Sequence, residues 1–67
     1  MPQKVRQLVQ ALLEAGFYEI PGRGKGSHRI FTHPDYPGAV TLSGKLSDDA
    51  KPYQERQVRR AIQKVQR

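Results

Sequence analysis

Residues 27–43 read SHRIFTHPDYPGAVTLS, and this stretch decides the fold because it holds two strand patterns around one turn pattern. Residues 39–43 place Val40 and Leu42 on one face and Thr41 on the other, which is the two-residue period of a β-strand, and residues 27–33 centre on Ile30 and Phe31. Between them, residues 33–38 include two prolines, an aspartate and a glycine, a composition typical of a turn. The stretch therefore predicts two strands joined by a short connection.

A third strand is predicted before this pair. Residues 17–20 form a short aromatic and β-branched segment, and Pro21 ends it. Turn residues at positions 21–26 separate this segment from the next strand. Because connections this short favour antiparallel neighbours, the three strands are predicted to form an antiparallel meander.

The first helix is predicted from the spacing of its apolar residues. They follow the i, i+3, i+4, i+7, i+8 pattern and span an arc of roughly 140°, a normal core-facing stripe. The members of this stripe are Val5, Leu8, Val9, Leu12 and Leu13. Gly16 is the expected stop of the helix. Phe17 is then expected to fold back onto Leu12 or Leu13, as in a Schellman ending.

A second helix is predicted from about residue 52 to residue 66. Its apolar residues cluster within about 100° of arc, and a basic stripe occupies about 80° on the opposite side. The apolar set is Val58, Ala61, Ile62 and Val65, and the basic stripe is Arg56, Arg60, Lys64 and Arg67. This stripe is interpreted either as a solvated face or as a surface that follows an RNA backbone.

The predicted element order is α-β-β-β-α. It describes a small α+β domain in which two helices cover one face of a three-stranded antiparallel sheet and leave the other face exposed. This order resembles the double-stranded RNA-binding-domain fold. A chain of 67 residues has room for one domain, residues 1–67. Because so small a domain has a thin core, we expect any site to be shallow and open.

Charge and composition narrow the class of partner. Twelve Lys and Arg against six Asp and Glu give a net charge of +6, which favours nucleic acid, an anionic membrane surface or an acidic protein. With no cysteine, disulfides and thiolate sites are excluded. No apolar run is long enough to span a membrane, and the N-terminus lacks the apolar core of a signal peptide. We therefore expect a cytoplasmic protein with no membrane partner and no cofactor.

His28 is the candidate for chemistry because it directly follows a cationic, glycine-rich loop. Histidine takes and returns protons near neutral pH. Lys25 and Arg29 suit a polyanion, and the glycines of the loop let its backbone approach a phosphate. One interpretation is a general base in RNA cleavage, in which the 2′-hydroxyl of the RNA is the nucleophile. A solvated strand histidine beside a turn is the alternative.

His33 is not expected to be a second catalytic histidine. Side chains alternate along a strand, so positions five apart point to opposite faces unless a bulge intervenes. We interpret His33, which precedes Pro34, as a turn residue. The scattered Asp35, Asp48 and Asp49 do not form a metal-ligand pattern with the histidines. No metal site is predicted, and any cleavage is expected to be metal-independent.

Four short motifs occur together in this chain. They are a leading helix ending in Glu14-Ala15-Gly16-Phe17, the run Gly24-Lys25-Gly26-Ser27-His28-Arg29-Ile30-Phe31, the pair His33-Pro34, and a Val40-Thr41-Leu42 strand. Together they resemble the HicA family of toxins, small mRNA interferases of bacterial and archaeal toxin–antitoxin systems. The resemblance covers roughly residues 3–43, with a looser match through the final helix. It implies a fold like that of the double-stranded RNA-binding domain.

The resemblance also implies a function. It assigns His28 as the single catalytic residue of a ribosome-independent endoribonuclease that cleaves mRNA, and it implies a HicB antitoxin that covers the active site. The residues expected to bind RNA are Arg23, Lys25, Ser27, Arg29 and Lys45. The alternatives are a non-catalytic RNA-binding module of the same fold and a purely protein-binding adaptor.

Residues 44–53 depart from the family pattern. Many members have a short basic stretch after the third strand. Here the segment is longer and acidic in its middle, and the last helix is rich in Gln and Arg. We interpret the chain as a divergent branch of the family at this end.

Overall fold

A computed structural model describes residues 3–20 and 28–66 of the chain. The elements run in the order α1 (Val5–Glu14), β1 (Tyr18–Glu19), β2 (Arg29–His33), β3 (Tyr36–Leu42) and α2 (Pro52–Val65). The three strands form one antiparallel sheet in the order β1-β2-β3. The predicted α-β-β-β-α order and the meander are therefore confirmed. Within the described ranges, no helix is both long and apolar enough to cross a membrane.

The end of α1 follows the predicted Schellman pattern. The Phe17 N–H donates to the Leu12 carbonyl at 2.9 Å, and the Gly16 N–H donates to the Leu13 carbonyl at 3.1 Å. Gly16 has a φ of 99°, a left-handed conformation that favours glycine. The side chains of Leu12 and Phe17 are both buried in the core. The helix therefore stops where its residue chemistry predicts.

Leu13 was wrongly placed in the core-facing stripe, since its side chain is 51% exposed. Val5, Leu8 and Leu12 are the buried residues of α1, and Val9 is half-buried. Leu13 lies about 100° round the helix from Leu12. It is therefore at the margin of the arc, beyond the part that the rest of the molecule covers.

Gly16→Ala is expected to lower the free energy of unfolding by at least about 1–2 kcal/mol, because a left-handed conformation strains any L residue. The added Cβ would also lie 3.0 Å from Nε2 of His33. Gly38→Ala is the matched control, since Gly38 has a φ of 95° but no heavy atom of the described residues within 4 Å of such a Cβ. Urea unfolding of both variants separates backbone strain from the collision. If Gly16→Ala were as stable as the wild type, the assignment of Gly16 as the left-handed residue that ends α1 would be wrong.

The strand register directs one face of the sheet into the core. Phe31 pairs with Val40 and Arg29 pairs with Leu42, so these four residues share a face. Phe31, Val40 and Leu42 are fully buried. They pack with residues of both helices in one cluster, whose members are Leu8, Leu12, Phe17, Phe31, Val40, Leu42, Ala50, Val58 and Ala61. The helices therefore cover this face, as predicted.

The third strand begins at Tyr36, three residues earlier than the predicted residue 39. His33 pairs with Tyr36 across a tight turn, and the β2–β3 register is irregular between Phe31 and His33. Gly38 takes a positive φ in β3, where a bulge accommodates extra residues. Pro37 therefore lies within β3 without ending it, whereas Pro34 directly follows the end of β2.

Residues 44–50 form hydrogen bonds and an ion pair with the first residues of α1 and with Lys4 just before it. The first N–H groups of a helix have no partner within it. Here the Val5 N–H donates to the Asp48 carbonyl at 2.9 Å, and the Arg6 N–H donates to the Leu46 carbonyl at 3.1 Å. The Lys4 ammonium forms an ion pair with Asp49 at 2.7 Å. The acidic segment that departs from the family pattern therefore caps a helix.

Candidate catalytic site on the open sheet face

His28 is exposed and lies one residue before β2. Its predicted neighbours Arg23, Lys25 and Ser27, with the whole turn 21–26, lie outside the described residues. The predicted phosphate-binding role of that loop therefore stays a prediction. The final member of the basic stripe, Arg67, lies outside them as well.

The face of the sheet that carries no helix is the one that His28 joins. Ile30 pairs with Thr41 and alternates with the buried Phe31, so it points away from the helices. Tyr18, which pairs with Thr32, is exposed on the same side. Continuing the alternation one residue back from β2 puts His28 on this open face. An extended ligand can reach the imidazole there without entering a cavity.

Arg29 lies on the opposite face from His28. It pairs with the buried Leu42, and its Nη1 is 3.5 Å from Oε2 of Glu19. Its Nε is buried and has no hydrogen-bond partner among the described residues. The ion pair is long and partly exposed, so it contributes little to stability. The two neighbours that the sequence groups together are thus separated by the sheet.

Lys45 is exposed in the turn that follows β3. Its backbone N–H donates to Oδ2 of Asp48 at 2.9 Å, and its ammonium group takes no part in this hydrogen bond. Because Leu42 at the end of β3 pairs with Arg29, Lys45 lies at the same end of the sheet as His28. Its predicted RNA contact is compatible with this position.

His33 serves the fold at the other end of β2. Its Nδ1 accepts a hydrogen bond from the Asp35 N–H at 2.9 Å, and its ring centroid is 5.0 Å from that of Phe17. His33 is five positions along the chain from His28, about 16 Å at 3.3 Å per residue. The irregular register does not bring the two imidazoles together. His33 is therefore the last residue of β2 and not a turn residue, although its ring accepts a hydrogen bond from the turn that follows.

Tyr18 and Tyr53 are exposed and could stack on RNA bases, whereas Phe31 is buried in the core. Within residues 3–20 and 28–66, no group of three or more His, Cys, Asp or Glu side chains has the arrangement to hold a metal ion.

The fold and the exposed histidine define a small α+β domain of the double-stranded RNA-binding-domain type, with a helix-free sheet face. A family model described as "HicA toxin of bacterial toxin-antitoxin" matches residues 5–64. The chain therefore belongs to the HicA toxin family. Neither the curated proteins nor the solved structures gave a significant match.

Membership of this family makes the protein a toxin of a toxin–antitoxin system, with a HicB-type antitoxin as its partner. The match continues through residues 44–53 and into α2. The acidic segment is therefore a variation within the family domain.

Proposed function

We propose that this toxin is an endoribonuclease that cleaves mRNA with His28 as its single catalytic residue. The observation that carries the proposal is the exposure of an imidazole on the helix-free face of a HicA-family domain. On an open face, a folded or extended RNA can bring its backbone to the imidazole. The net charge of +6 supports a polyanionic substrate.

The chemistry requires only one proton-transfer group because RNA carries its own nucleophile. His28 accepts the proton of a 2′-hydroxyl as the 2′-oxygen attacks the adjacent phosphorus. A P–O2′ bond forms, the P–O5′ bond breaks, and the leaving 5′-oxygen takes a proton from the imidazolium or from water. The products are a 2′,3′-cyclic phosphate and a 5′-hydroxyl. No oxidant, metal ion or cofactor enters this balance.

Cations stabilise the charge that accumulates on the phosphorane. The proposed phosphate contacts come from the loop before β2 and from the turn after β3, both next to His28 in the chain or in the sheet. From these two connections come Arg23, Lys25, Ser27 and Lys45; a fifth contact is proposed for Arg29, which begins β2 on the opposite face of the sheet from His28. Arg29 takes this role only if RNA displaces its long contact with Glu19.

A substrate with one 2′-deoxy nucleotide tests this mechanism. We expect purified toxin to cleave a transcript in the presence of a chelator. After the cut is mapped, an oligonucleotide that lacks only the 2′-hydroxyl at that position is expected to stay intact, while the all-RNA control is cleaved to a cyclic phosphate. Cleavage of the deoxy substrate, or activity that returns only with added metal, would contradict the proposal.

The second candidate is a non-catalytic RNA-binding module of the same fold. One observation favours it: Arg56, Arg60 and Lys64 of the basic stripe are all exposed on α2, and such a stripe can bind an RNA backbone without any chemistry. This candidate predicts salt-sensitive RNA binding without cleavage.

A further inference from the structure

A groove of about 270 Å³ lies between α2 and the beginning of β3. Its lining consists of two tyrosines, two arginines and a glutamine: Tyr36, Tyr53, Arg56, Gln57 and Arg60. The four residues from α2 follow the i, i+3, i+4, i+7 spacing and so form one face of the helix. Tyr36 joins them from the strand. The groove therefore combines part of the basic stripe with aromatic rings.

The groove is cationic without internal compensation. The ion pairs among the described residues are Lys4 with Asp49 and Arg29 with Glu19, so neither Arg56 nor Arg60 is neutralised by one. Glu55, the acidic residue in the first turn of α2, lines a different groove between the two helices. An anionic ligand would therefore meet two free guanidinium groups.

The tyrosines offer two different kinds of surface. Tyr53 is 51% exposed at the start of α2 and is free to stack on a planar group. Tyr36 is half-buried, and its ring lies 5.6 Å from that of Phe17 in an edge-to-face arrangement. This contact with a buried residue fixes the ring of Tyr36. The ring of Tyr36 is therefore held in place beside Arg56 and Arg60 before any ligand binds.

We propose that this groove binds a segment of single-stranded RNA that flanks the cleavage site. Stacking rings beside a positive groove are how proteins hold single strands without reading their sequence. Arg56 and Arg60 are one helical turn apart, about 6 Å along the axis, which suits successive phosphates. The inference rests on the proposed ribonuclease function and adds a binding surface to it.

The position of the groove fits a path toward His28. Nε2 of Gln54 donates to the Ser43 carbonyl at 3.1 Å, which ties the first turn of α2 to the end of β3. Leu42, one residue before Ser43, pairs with Arg29 beside His28. The Tyr53 end of the groove is therefore at the same end of the sheet as His28. RNA that leaves the groove there crosses the edge of β3 to reach the open face.

The test measures binding apart from cleavage. All proteins carry His28→Ala, and the probe is a labelled 2′-O-methyl oligonucleotide of about 12 nucleotides, measured by anisotropy between about 50 and 200 mM salt. The groove variants are Arg56→Ala/Arg60→Ala and Tyr53→Ala. The control, Arg6→Ala/Arg59→Ala, removes the same charge from exposed positions outside the groove. Unfolding curves verify that each variant folds.

Arg56→Ala/Arg60→Ala is expected to weaken RNA binding at least about tenfold and to reduce the salt slope by about 1.4, the value for two phosphates of a single strand. Tyr53→Ala is expected to weaken it about fivefold to a hundredfold, the range for one lost stacking contact. The control should lose clearly less affinity. An equal loss in the control would overturn the proposal.

A second binding measurement asks whether the groove binds the HicB-type antitoxin instead of RNA. If the groove variants bind RNA normally but lose the HicB-type antitoxin, the surface is a protein interface and the proposal is wrong. Failure of the ribonuclease function is a separate result, because it would appear as absence of cleavage by the protein that retains His28. RNA binding by the groove would then still be measurable with the same probe.

Discussion

His28→Ala is expected to lower the rate of RNA cleavage by about 10²–10⁴-fold, the usual contribution of one proton-transfer group. The imidazole lies exposed on the open face, so its removal leaves no cavity. The free energy of unfolding should therefore stay within about 0.5 kcal/mol of the wild-type value. Cleavage of a mapped RNA substrate and urea unfolding measure the two effects on the same preparation. Growth inhibition in cells should fall with the cleavage rate.

His33→Asn is the matched control for this prediction. It removes an imidazole that packs against Phe17 and accepts the Asp35 N–H, so it is expected to reduce stability. Cleavage per folded molecule should change little, since His33 lies about 16 Å away along the strand. The assignment would be wrong if His28→Ala cleaved like the wild type while folded, or if His33→Asn alone abolished cleavage in the folded fraction.

Phe31→Ala is expected to remove most of the stability of the protein. Phe31 is fully buried in the central strand, opposite Val40 and between the helices and the sheet. Truncation of a core phenylalanine costs about 3–5 kcal/mol. At about 0.05–0.15 kcal/mol per residue, a domain of this length has only about 3–10 kcal/mol to lose. Toxicity should disappear because the chain unfolds, although His28 is intact.

Circular dichroism and urea unfolding test this expectation, and two variants calibrate it. Phe31→Leu leaves a smaller cavity and should cost less than Phe31→Ala. Tyr18→Ala removes an aromatic ring that is 55% exposed on the open face, and its cost should stay near 0.5 kcal/mol, about the limit for ordinary surface changes. A cooperative transition of near wild-type midpoint in Phe31→Ala would show that this ring is not the centre of the core.

Most of the fold could be predicted from neighbouring residues. The two-residue alternation of Val40, Thr41 and Leu42 and the glycine that ends α1 are local signals, and the structure confirms the burial and the hydrogen bonds that they imply. The burial of residues at the margin of a helix face and the exact start of a strand were not predictable in this way. Leu13 is exposed and β3 starts at Tyr36, because burial and pairing depend on what lies opposite a residue.

The candidate site was likewise predictable only in part from the sequence. His28 stands out in the sequence because an imidazole after a cationic glycine loop is a chemical pattern, and its role stays a prediction. The sequence also grouped Arg29 with it, whereas alternation across the sheet turns that side chain toward Leu42 and Glu19. The separation of the two faces is visible only when the partner strand is in place.

Local residue chemistry thus determined the element order, the family resemblance and the choice of His28. Tertiary packing decided which face of the sheet stays open, how residues 44–50 cap α1, and how Tyr36 meets Tyr53 and the arginines of α2. The physical reason is the distance along the chain between the residues that interact. Helix and strand periods relate residues within a few positions of one another, whereas the groove joins residues 17 to 24 positions apart, which only the shared core brings together.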